Sequence, residues 1–188
     1  NLQSEHASAD QINIGQTTAS SNLSTNDAAI SSNAIEASNL SARGNTVEDL
    51  SIVGLAAQGN SKQQTGSLNV DAISAKNAQH ALGKVSSVQI ANVAAASDQS
   101  GHAANIGQVE LGGLSSHNQS AEHISIHGLS GESNRSLSEA SGEIQNLNIQ
   151  SLTGHAPTSN TDIPSYALNE LNIKDLKGSH INSQKSNA

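Results

Sequence analysis

One short apolar figure, spaced apolar-x-apolar-x-x-apolar, recurs from one end of this chain to the other and restricts the folds open to it more than any other feature. In the stretch VEDLSIVGLAAQGNSKQQTGSLNVDAIS it occurs as Leu50/Ile52/Leu55 and again as Leu68/Val70/Ile73. Further copies are Val88/Ile90/Val93, Val109/Leu111/Leu114, Ile124/Ile126/Leu129, Leu147/Ile149/Leu152 and Leu171/Ile173/Leu176, which makes seven. Two degenerate copies, Ile12/Ile14/Thr17 and Ile35/Ala37/Leu40, precede them. A further aliphatic often stands three positions before the figure, as at Val47, Val85, Ile106, Ile144 and Leu168. Successive copies start 15 to 24 residues apart, with small and polar residues between them. A constant phrase joined by variable connections is the signature of a repeat architecture.

The first two apolar positions are two residues apart, so on a strand both side chains share one face. Ser51, Asn69, Gln89, Glu110, Ser125, Asn148 and Asn172 stand between them. Val and Ile favour a strand, whereas the many Ser, Asn and Gly residues disfavour a helix interior. The third apolar position breaks the alternation and calls for a bend. Gly54, Gly113 and Gly128 precede it, and Gly131, Gly154 and Gly178 follow shortly after the figure. Glycine supplies the positive φ that such a bend uses.

A unit of about 20 residues with three or four aliphatic side chains does not bury enough surface to offset its own ordering. Stacking on its neighbours is therefore obligatory. The expected fold is all-β, a repetitive β-solenoid of about nine stacked coils of roughly 20 residues with parallel in-register strands. It forms one domain over residues 1–188, with degenerate repeats in 1–46, core repeats in 47–178 and a polar tail in 179–188. The expected structural core is Leu50, Ile52, Leu68, Val70, Val88, Ile90, Val109, Leu111, Ile124, Ile126, Leu147, Ile149, Leu171 and Ile173. A leucine-rich horseshoe is the second architecture, since VSSVQIANV and IGQVELGGL match Leu-x-x-Leu-x-Leu. That family's next Asn and its convex-side leucines are missing here.

Composition narrows the partners. Tyr166 is the one aromatic residue, and Phe, Trp, Met and Cys are absent, so the core is a thin one of Leu, Ile, Val and Ala. A net charge of −8 with eight scattered Lys and Arg excludes a nucleic-acid stripe. No apolar run approaches the ~20 residues of a membrane-spanning helix. A chain without cysteine that starts at Asn1 rather than Met is expected to be a processed mature form or a fragment, secreted and extracellular or on the cell surface. Neither end reads as a polar cap. Uncapped ends favour self-association into a homopolymer by end-to-end stacking, with other matrix or surface components as further expected partners.

The segments QINIGQ, SLNVDAIS, GHAANIGQ and NLNIQSLTGH resemble the phrases of secreted bacterial fibre subunits of the curlin type. The resemblance implies an exported solenoid that assembles into an amyloid-like extracellular fibre of a biofilm matrix. The alternative is a monomeric adhesin stalk or passenger segment, with GHAPTSNTDIPSYA and GESNRSLSEASGE as its contact loops.

No catalytic, cofactor-binding or metal residue is expected. His117, His123 and His127 crowd one unit, with His102 upstream, but residues i and i+4 of a strand lie about 13 Å apart, too far to share a metal without a neighbouring strand. The acidic residues do not gather along one groove, and GHAANIG lacks the Lys-Ser/Thr ending of a phosphate loop. The chain is therefore expected not to be an enzyme. Asn22, Asn39, Asn118 and Asn134 begin Asn-x-Ser sequons, which a chain rich in both residues produces by chance.

Overall fold

A computed structural model describes residues 2–4, 7–155 and 165–181. Among these every regular element is a strand, and all strands belong to one sheet. Three short strands, β2 (Ala7–Ala9), β3 (Gln11–Ile14) and β4 (Thr17–Asn22), pair in turn with β5 (Asp27–Ala42) and together form one interrupted rung. Strand β1 (Leu2–Ser4) pairs with β2 at that end. The long strands β6 (Asn45–Asn60), β7 (Thr65–His80), β8 (Gly83–Ser97), β9 (Gly101–Ser116), β10 (Gln119–Asn134), β11 (Glu139–His155) and β12 (Ser165–Ile181) follow in sequence order.

The repeat expected from the sequence is present, but its strands run antiparallel, which corrects the parallel in-register stack. Each long strand doubles back on the one before it, so successive units alternate in direction. The physical reason lies in the connections. Those after β5, β7 and β9 are two residues long, at 43–44, 81–82 and 117–118. Two-residue turns join antiparallel strands, whereas a parallel return needs about a dozen residues. Arg43 and Gly44 both have positive φ (49° and 80°), as a type I′ hairpin turn requires. At the opposite end, residues 61–64, 98–100 and 135–138 make slightly longer turns.

Each long strand carries one interior residue of positive φ, which shifts the in–out alternation by one and creases the sheet. These residues are Asn39, Gly54, Asn77, Asn92, Gly113, Gly128, Ser151 and Asp175. They fall in two rows. Gly54, Asn92, Gly128 and Asp175 line one crease, while Asn39, Asn77, Gly113 and Ser151 line the other, alternating along each row with residues of ordinary φ. Gly54, Gly113 and Gly128 are thus the expected bends. Gly131, Gly154 and Gly178 instead lie within strands and without positive φ.

Between the creases every long strand has a five-residue span whose second and fourth side chains are apolar, apart from small Ala37 and Ala75. The register joins Ile14, Ile35, Ile52, Ile73, Ile90, Val109, Ile126, Leu147 and Ile173 into one continuous row. Ile12, Ala37, Leu50, Ala75, Val88, Leu111, Ile124, Ile149 and Leu171 make a second. These side chains are half-buried in the interior strands, and among the described apolar residues only Ala9, Val70 and Ala121 are buried outright. Accessible surface totals 12754 Å² for 19.1 kDa. A compact monomer of that mass exposes roughly 8,400 Å². The sheet is a single layer, and its stability rests on backbone ladders and cross-strand pairs rather than on a closed core.

Candidate functional site

Two places concentrate polar or unpaired groups: a row across the middle of the sheet and the free edge of β12. The row consists of the central residue of each five-residue span. It runs Asn13, Glu36, Ser51, Ser74, Gln89, Glu110, Ser125, Asn148 and Asn172, each directly opposite the next. Asn69, expected here from the sequence, instead pairs with Ala56 and Ala94.

Glu110 is the most connected member. Its side chain retains 18% of its exposure. It lies across the ladder from Ser125, so the two histidines flanking Ser125 close on it from either side. His123 Nε2 is 2.5 Å from Oε2, and His127 Nε2 is 3.6 Å from Oε1. Gln108 donates Nε2–H to Oε1 at 2.6 Å. The Oε2 atom is buried, and among the described residues it has no partner beyond this contact with His123. Glu110 was not singled out from the sequence, because only the register reveals which residue stands opposite Ser125.

The chemistry open to this cluster is limited. Ser125 is buried at 8% exposure, and no hydrogen bond links it to His123, His127 or Glu110. A relayed nucleophile is therefore not assembled. Among the described residues no group of three or more His, Asp or Glu side chains is placed to hold a metal ion. His102 lies in β9 and His117 in the turn after it, both apart from the cluster.

Twelve of the fourteen expected core residues occupy the two central apolar rows. Leu68 and Val70 lie outside them, across the first crease: Val70 pairs with Val93, and Leu68 lies opposite Ala57 and Ala95. Ile73 and Ala75 fill their places in the central rows. Of the candidate contact loops, GESNRSLSEASGE is mainly the ends of β10 and β11, with only 135–138 as a turn. Its Arg135 reaches Gln64 Oε1 at 2.5 Å and the carbonyl of Asp98 at 3.0 Å, tying three successive turns together. Most of GHAPTSNTDIPSYA lies outside the described residues.

At the last strand, β12 pairs with β11 and with no other strand among the described residues. Tyr166, Leu168, Leu176 and Ile181 are 44%, 40%, 50% and 71% exposed. Seventeen residues of strand thus present one row of unpaired backbone groups, the arrangement that templates a further strand.

No family model matches the chain, and no curated protein or solved structure matches it. No helix among the described residues is long and apolar enough to cross a membrane.

Proposed function

We propose that this protein is a structural subunit of an extracellular, biofilm-type fibre that polymerises end to end through the edges of its sheet. The observation that carries this reading is β12: a long, exposed, aliphatic edge strand that carries no proline and is paired on one side alone among the described residues. Natural sheets shield such edges with short strands, prolines, charged side chains or covering segments; β12 is long and free of proline, and Lys174 and Lys177 are its lysines. A single-layer meander gains most from another rung, because its interior strands owe their burial to having a neighbour on each side. In this reading the protein does for a fibre what curlin-type subunits do, with antiparallel hairpins in place of parallel coils.

Purified full-length chain, undenatured and held for hours at micromolar concentration, is expected to give uniform filaments in electron micrographs. Their diffraction should show strand spacing near 4.8 Å along the fibre axis. Protein that remains as short monomeric particles under these conditions overturns the polymer reading and favours the adhesin stalk.

A further inference from the structure

We infer that the free edge of β12 is self-complementary and that two copies of the chain join tail to tail across a two-fold axis, β12 against β12 in antiparallel register. This rests on the reading that the chain associates through its edges, and it specifies which edge, which partner and which symmetry.

The creases set the register. In β12 they fall at Asn169 and Asp175, opposite Ser151 and Gln145 of β11. A strand added to the other side of β12 must crease at the same two places, and inside the sheet a positive-φ residue always faces one of ordinary φ. A second β12, run antiparallel and centred on Asn172, meets both conditions. It sets Asp175, with φ 53°, opposite Asn169 of the second copy, and Asn169 opposite the second Asp175.

In that register the side chains match. Leu168 faces Leu176 and Leu171 faces Ile173, each twice by symmetry, which continues all four apolar rows that β12 already shares with β11. Glu170 faces Lys174, also twice, giving opposite charges directly across the ladder. At the creases Asn169 faces Asp175, an amide opposite a carboxylate as where Asn39 donates to Asp10 at 2.8 Å and Asn77 to Glu48, but with the carboxylate rather than the amide on the left-handed residue. Tyr166 faces Gly178. Within the chain Tyr166 already lies opposite Gly154, where a Cβ would collide with its ring, and Gly178 has open space where its own Cβ would be. Gly178 thus adds no side chain to obstruct the second strand at this end of the junction.

A head-to-tail junction has none of these features. The interrupted rung β2–β3–β4 runs in the same direction as β12, so translation of one copy onto another sets the two parallel, unlike every pairing within the sheet. It also places Gln11 and Asn13, rather than a charge, beside Glu170 and Asn172.

The chain has no cysteine, so a single substitution reports the junction. Asn172→Cys places two thiols directly opposite each other at a Cα separation of about 4.5–5.5 Å, within disulfide range. The full-length variant is expected to convert to a covalent dimer on mild oxidation, while Ser51→Cys, in the same row but flanked by strands on both sides, stays uncrosslinked. Glu170→Lys and Lys174→Glu should each weaken association about tenfold, and the double exchange should restore it. Filaments that form without the Asn172→Cys crosslink and without rescue overturn the two-fold junction and leave the polymer reading standing. A crosslinked, charge-rescued dimer that never extends supports the junction and removes the polymer. Monomers with no crosslink remove both.

Discussion

Strands β10 and β12 carry the same apolar figure, Ala121-Ile124-Ile126-Leu129 in one and Leu168-Leu171-Ile173-Leu176 in the other, yet their surroundings differ. Ile126 has Val109 on one side and Leu147 on the other, and the neighbouring Ser125 is buried. Ile173 has Leu147 alone, Asn172 is exposed, and Leu176 is half exposed. Burial in this protein is supplied by the number of neighbouring rungs rather than by the rung itself. The same spacing is a core in the middle of the sheet and an adhesive surface at its edge.

The largest expected effect separates these two positions directly. Ile126→Asp sets a charge between two aliphatic neighbours and should cost about 3 kcal/mol or more, whereas Ile173→Asp, with one neighbour and access to water, should cost about half as much. Urea denaturation followed by far-ultraviolet circular dichroism measures both, and equal losses would contradict the rule that neighbours set burial.

A smaller contrast concerns the crease residues. Gly128 in β10 has φ 63°, and a Cβ there would collide with the Gln145 side chain. Gly128→Ala should cost about 1–2 kcal/mol. Asp175, its counterpart in β12, already holds the left-handed conformation with a side chain, so Asp175→Gly should change folding stability by less than about 0.5 kcal/mol. Thermal melting of the two variants at a concentration where the chain is monomeric tests this. A large loss at Asp175 would mean that its carboxylate, rather than its backbone, holds the crease.

The smallest effect lies at a strand end. Asp98, in the turn between β8 and β9, accepts hydrogen bonds on Oδ1 from the Ser100 hydroxyl (2.5 Å) and from the backbone N–H of Ser100 (2.7 Å) and Gly101 (3.1 Å). These bonds, with a minor contribution from His102, hold its pKa below the ordinary 3.8. A lowered folded pKa means that the contribution to stability is complete above 3.8 and fades as pH falls through the depressed folded value. The melting difference between wild type and Asp98→Ala should therefore be present at neutral pH and narrow toward about pH 2. A difference independent of pH would show that the turn does not depend on the charge.

Much of this arrangement was legible in the residues themselves. Alternation of Leu, Ile and Val with polar residues gave strands, and the glycines before the third apolar position marked real bends at Gly54, Gly113 and Gly128. Asn39, Asn77, Asn92, Ser151 and Asp175 make the same bend without glycine and were not recognised, although Asn and Asp adopt positive φ more readily than most residues. The Glu110 cluster was not legible, because Glu110 lies on β9 and His123 and His127 on β10, and they meet only through the register.

Strand direction was the main thing the spacing left open. With the outer aliphatics included, the figure reads apolar-x-x-apolar-x-apolar-x-x-apolar, as in Val47-Leu50-Ile52-Leu55 and Ile106-Val109-Leu111-Leu114. That spacing is the same in both directions, so it aligns equally well with a parallel or an antiparallel copy. By itself, then, the sequence determined an all-β repeat and its unit length, since these follow from local periodicity along one strand. Antiparallel order, the two crease rows and the exposure of β12 were decided by tertiary structure alone, since each depends on which residue of a distant strand stands opposite, and a palindromic spacing does not encode that.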